Sequence, residues 1–222
     1  MPKSLSSNAR SSAWKYVTRG FSGRPQQRKG EEWRCSDLAG RMSELSGCGA
    51  GAEMTLALLL VRDAQARREP VAWVSAEAST FFPPDAAEMG IDLSVLPVIR
   101  LQDASGVGRA AERLLRSGAF GLLVLDLWSR SDMPRPLQSR LAGLARKHDT
   151  ALLCLTQKNT RQASLGPLVS LRCAAERILP NDDLLGGSIL CRMQVIKDRH
   201  GASRRHHDFV CRSLPGLDFR GR

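Results

Sequence analysis

The sequence predicts an α/β fold, with a mostly parallel central sheet, helices on both of its faces and an antiparallel meander at the C-terminal end. Three observations predict it. From residue 44 to residue 157, continuous apolar runs alternate with helical patterns, as strands buried on both faces do. A glycine-rich turn joins the first segment to the first helix. Past Gly166 the rhythm changes to strand after strand with turns between.

Residues 1–34 are rich in Ser, Arg, Gly and Gln, with anchors only at Trp14, Tyr16, Phe21 and Trp33. Such a composition seldom packs alone and reads as a basic, partly flexible N-terminal arm. Its aromatics among Arg and Lys suit stacking on bases, docking on another protein or folding back on the domain. The core domain is expected over 35–213, with a loose tail over 214–222.

Within the core, Glu44–Gly47 leads into the turn, and Met54–Arg68 reads as a helix that Pro70 ends. Val71–Ala76 is a buried strand closing on Glu77, and Asp85 is placed to cap a short helix ending at Gly90. Leu96–Leu101 is a strand candidate. Gly108–Ser117 is amphipathic, with Ala110, Ala111, Leu114 and Leu115 on one face. Gly121–Leu127 is an apolar strand carrying Asp126 near its end. Leu137–His148 is a helix with Leu137, Leu141 and Leu144 turned inward, and Ala151–Thr156 a further buried strand followed by Gln157. The meander is expected as Leu168–Cys173, Ala175–Leu179, Ser188–Lys197 and His206–Cys211, with a basic hairpin tip over 197–205.

The turn after the first strand has the outline of a phosphate-binding loop. In a working loop, G-x-x-x-x-G-K-[ST], glycines let backbone N–H groups wrap the phosphates, the lysine neutralises the terminal ones and the hydroxyl holds magnesium. Gly47 fills the first position, and Gly49 and Gly51 keep the turn glycine-rich. Ala52, Glu53 and Met54 then stand where the second glycine, the lysine and the hydroxyl belong, with Thr55 one residue late. An ion pair at 4 Å is worth about 4 kcal/mol at an effective dielectric of 20, so reversing its sign swings roughly 8 kcal/mol. That is more than about five decades of affinity. The expectation is a nucleotide-binding architecture without a working nucleotide site and without a cofactor; a plain glycine-rich turn is the competing reading.

The chain has 222 residues and a formal net charge of +11. Residues 1–34 hold eight Lys or Arg against two Glu, and 197–222 hold seven against three Asp, so the central stretch is close to neutral. Basic ends suit an anionic partner, nucleic acid being the commonest, or a merely solvated tail. With no run of 18 apolar residues and no apolar leader segment, a cytoplasmic protein is expected. The six cysteines form no C-x-x-C pair, and Cys154 and Cys191 lie in apolar runs, so neither a disulfide framework nor zinc is expected. His200, His206 and His207 surround one turn without matching Cys or carboxylate spacing, which favours solvated histidines over a metal site.

The order of these elements resembles the RecA-like recombinase ATPases, and more closely the ImuA family of bacterial mutagenesis accessory proteins. The resemblance rests on the loop at Gly47, Ala76-Glu77, GLLVLD at Gly121–Asp126, LTQ at Leu155–Gln157, SLGPLVSLRC at Ser164–Cys173 and VIKDRHG at Val195–Gly201. It implies a RecA-like core over about residues 40–205. In the ATPase relatives the positions of Glu77, Asp126 and Gln157 activate water, hold magnesium through water and sense the terminal phosphate; here they would be vestigial. Seven residues, Lys158–Ser164, stand where the recombinases carry a mobile DNA-binding loop. The resemblance implies a non-catalytic accessory of SOS-induced translesion synthesis, nucleoid-associated, whose partners are an inactive Y-family polymerase homologue (ImuB-like), RecA and DNA. Lys158, Arg161, Lys197, Arg199, Arg204 and Arg205, with Trp14 and Tyr16, are the expected contacts, the cations meeting phosphates. Two other readings stand beside it: a DNA-stimulated ATPase that has moved its cation to Arg41, Arg62 or a neighbour's arginine, and a cell-division inhibitor of the same fold acting through protein contact alone.

Overall fold

A computed structural model describes residues 33–49, 51–76, 79, 81–102, 104–127, 133–178, 188–200 and 206–212. The strands are β1 (Met42–Gly47), β2 (Val71–Ala76), β3 (Val98–Leu101), β4 (Leu122–Asp126), β5 (Ala151–Gln157), β6 (Leu171–Ile178), β7 (Ser188–Asp198) and β8 (His206–Arg212). The helices are α1 (Glu53–Ala66), α2 (Pro83–Glu88), α3 (Ala104–Ser117) and α4 (Arg135–Lys147), with short 3-10 turns at Cys35–Leu38 and Leu93–Val95. All eight strands form one sheet in the order β3-β2-β4-β5-β1-β6-β7-β8. The pairs from β3 to β6 are parallel, and β6–β7 and β7–β8 are antiparallel.

Side chains alternate across each strand, so the apolar runs supply two cores at once. Leu45, Trp73, Val124, Leu153 and Leu155 face one layer, where they meet Leu56, Leu60 and Val61 of α1. Ala72, Val74, Leu123, Leu125, Leu152 and Cys154 face the other, against Val107, Ala111 and Leu115 of α3 and Leu141 and Ala145 of α4. Leu137 and Leu144 pack at the margin of that second core. Buried on both faces, the five central parallel strands leave their carboxyl ends, with the loops that follow them, as the place where ligands meet such a sheet.

Three sequence expectations change. The segments expected as Leu168–Cys173 and Ala175–Leu179 give a single strand, β6, over Leu171–Ile178, whose pairing with β7 shifts register between Arg172 and Cys173. It runs parallel to β1, so the antiparallel part begins with the β6–β7 pair. Asp85 does not cap α2: Phe82 holds the N-cap position without a side-chain bond, and Pro83 starts the helix with its fixed φ. Leu96 and Pro97 precede β3 rather than belonging to it. The hairpin tip over 201–205 and the segments 1–32 and 213–222 lie outside the described residues.

Candidate functional site

The carboxyl end of β1 and the first turn of α1 bring Gly47, Gly49, Gly51, Ala52, Glu53, Met54 and Thr55 together as a loop at the edge of the central strands. The Glu53 side chain turns back into it. A Cβ placed on Gly47 would lie 1.8 Å from Glu53 Oε2, and one on Gly51 would lie 2.0 Å from the same oxygen. The carboxyl group therefore fills the concavity between the two glycines, where a phosphate-binding loop receives its phosphate. Gly49, with φ +64°, supplies the left-handed residue that the turn needs. Glu53 Oε2 is buried and meets no hydrogen-bond donor among the described residues. Burial pushes the Glu53 carboxyl above its ordinary range and Asp126 adds to the rise, against the opposing pull of its own backbone N–H and of Arg177.

The next two strands close the site from the other side. Asp126, 1% exposed at the end of β4, accepts a hydrogen bond of 2.5 Å from Ser79 Oγ. Gln157 ends β5 in register with Gly47. Glu53, Met54, Asp126, Leu155, Thr156 and Gln157 enclose a void of only about 10 Å³, room for about one water. Glu77 lies outside the described residues. Arg41 is not the displaced cation: it precedes β1, a strand's length of about 20 Å from the loop, and pairs with Asp198 at 2.5 Å. Arg62 stands nine residues into α1, about 13 Å along the axis from its first turn. The cation whose field reaches Glu53 is Arg177 of β6, which no sequence motif marks. Arg177 lines an open pocket of about 400 Å³ directly against the loop, together with Gly47, Cys48, Gly51, Lys158 and Glu176.

The described residues also hold a charge cluster that sequence reading missed. Glu44, in the middle of β1, is 1% exposed. Its carboxylate accepts from Thr156 Oγ1 (2.9 Å), Ser164 Oγ (2.7 Å) and the Leu165 N–H (2.8 Å). Lys158 Nζ lies 3.4 Å away and Arg172 Nε 3.9 Å. Burial pushes the Glu44 carboxyl up, but the Leu165 N–H, Ser164, the Lys158 ammonium and Thr156 together hold it below its ordinary range. Lys158, expected as a surface contact, is thereby corrected: its side chain is 10% exposed and turned inward to Glu44. Arg161 and Arg199 are exposed as expected, and Lys197 is half-buried. Burial and the neighbouring Arg199 and Arg172 push the Lys197 ammonium down, while Glu44 pulls it up. Trp14, Tyr16, Arg204 and Arg205 lie outside the described residues.

The chain is 30% identical over 131 residues to Protein RecA of Chlorobaculum tepidum and, over the same length, to Protein RecA of Chlorobaculum parvum. The core is RecA-like. The alignment takes in 57% of this chain and 38% of each of these RecA proteins, so the chain spans well under half of their length. No family model matches the chain. In this RecA-like core, Gly47, Asp126 and Gln157 lie at the ends of the adjacent strands β1, β4 and β5. No helix among the described residues is long and apolar enough to cross a membrane.

Proposed function

We propose that this chain is a non-catalytic RecA-like accessory protein of translesion DNA synthesis, acting in the cytoplasm at the nucleoid and without nucleotide. In this reading it contacts an inactive Y-family polymerase homologue, RecA and DNA. The observation that carries the nucleotide-free part is the Glu53 carboxyl between Gly47 and Gly51. A triphosphate would have to expel that carboxyl, and Lys158, which lines the pocket beside the loop, is already held by Glu44. The basic balance of the chain and the exposed Arg161 and Arg199 support contact with phosphates. The resemblance in sequence order supports the translesion assignment.

Two measurements test it. Isothermal titration with magnesium-ATP should give no heat of binding at millimolar nucleotide; a micromolar dissociation constant would sink the nucleotide-free reading. Capture from bacterial lysate after DNA damage, with and without nuclease, should retain the polymerase homologue after nuclease treatment. A second reading, an ATPase with a relocated cation, draws support from the position of Arg177 near the loop. The same titration separates the two.

A further inference from the structure

The connection Lys158–Ser170 between β5 and β6 is held from below by charge. Glu44 takes the Ser164 hydroxyl and the Leu165 N–H on one oxygen and faces Lys158 with the other. Arg172, 4% exposed, donates to the carbonyls of Gln162 (2.5 Å) and Asn159 (3.0 Å). Asn159 closes the turn by accepting from the Arg161 and Gln162 N–H groups, and its own N–H donates to Gln162 Oε1. Lys197 sits in register with Arg172, and the Arg199 N–H donates to Ser170, which ties the end of β7 to the same connection. The buried Glu44 carboxylate thus faces Lys158 and Arg172, and its field reaches Lys197.

We infer that Glu44 is a positioning residue that clamps this connection in one conformation. The face carrying Arg161, Lys197 and Arg199 is then a preformed surface for a phosphate backbone. The DNA part of this inference rests on the reading proposed above. The physical gain is preorganisation: a surface already ordered by its own chain does not charge the ordering to the partner. It also needs no ligand in the loop, since the clamp uses Glu44 and Lys158, residues that flank Gly47 and Gln157 rather than touch a nucleotide.

The test uses the full chain, as wild type and as Glu44→Asp, which keeps the charge but shortens the reach by one methylene. Hydrogen exchange of residues 159–165 should speed up roughly tenfold or more, the loss of one or two bonds to a charged group. The amides of β2 and β4 should be unchanged. By fluorescence anisotropy with a single-stranded oligonucleotide, the dissociation constant should rise about threefold or more, with the slope against salt unchanged because no cation is lost. Ser164→Ala removes one donor to the same carboxylate and should give the same pattern at smaller amplitude if Glu44→Asp folds poorly. Unaltered protection of 159–165 in both variants would overturn the clamp. Loosening without any change in affinity would overturn its role in binding. If wild type binds no oligonucleotide, the DNA reading fails while hydrogen exchange still decides the clamp.

Discussion

Gly47→Ala offers a direct reading of where the Glu53 carboxyl lies. The new methyl carbon would stand 1.8 Å from Oε2, 2.4 Å from Cδ and 3.0 Å from Oε1. Gly47 does not need a left-handed backbone, so the strain is all side-chain crowding. Forcing a group out of a well-packed site costs about 1–3 kcal/mol, and Glu53 has one buried oxygen to relocate. In wild type, Gly47→Ala should therefore lower stability by about 1–3 kcal/mol, or roughly 2–4 °C of Tm for each kcal/mol in a chain of this size. In a Glu53→Ala background the obstructing atoms are gone, and the same substitution should cost only a few tenths. The coupling, read from urea unfolding of the four variants at constant m-value, should come to about 1–3 kcal/mol. Equal costs of Gly47→Ala in both backgrounds would refute the filled loop, and with it the main support for a nucleotide-free function.

Glu44→Ala should cost about 3–5 kcal/mol, because it leaves Lys158 and Arg172 buried without their carboxylate. The folded-state pKa of Glu44 is depressed, so its contribution is complete above the ordinary carboxyl value of 4.5 and is lost as pH falls through the folded value. Acid unfolding followed by circular dichroism should show wild type losing more stability in that window than Glu44→Gln. Glu53 has the opposite sign: its pKa is raised, so ionising it opposes folding as pH rises through the folded value. Glu53→Gln should therefore hold or raise the unfolding midpoint at neutral pH, and a large fall would contradict the burial described for it. Among Cys35, Cys48, Cys154, Cys173 and Cys191, a thiol reagent should modify Cys48 first, since it is exposed and the others are buried. Burial also pushes the Cys35 and Cys173 thiols up to about 12. Mass spectrometry of the labelled peptides checks the order.

Much of the architecture was legible because parallel strands buried on both faces leave continuous apolar runs, and VAWVSA, GLLVLD and ALLCLT each became a strand at or within a residue of the expected limits. The meander was less legible. The sequence reads as two segments divided at Ala174, but β6 runs through that residue, and the pairing irregularity lies against β7, where Ile196 is passed over. At the loop, the presence of Glu53 in the glycine-rich turn could be read directly; the conformation of its side chain could not. Arg177 gave no signal either, because a cation on a strand after a turn-rich connection reads as a solvated residue until the sheet order sets β6 beside β1.

The chain of residues by itself determined the layering, the order of the parallel strands' motifs and the presence of an acid, Glu53, in the glycine-rich turn, since each follows from local pattern and side-chain type. Tertiary structure alone decided what the two acids do. Glu44 meets Thr156, Ser164 and Leu165 across 112 to 121 residues of sequence, and Glu53 reaches the glycines by folding back on its own loop. Both outcomes depend on burial: removed from water, a carboxyl group settles against whatever donors and free space the assembled sheet provides, and neither can be counted along a sequence.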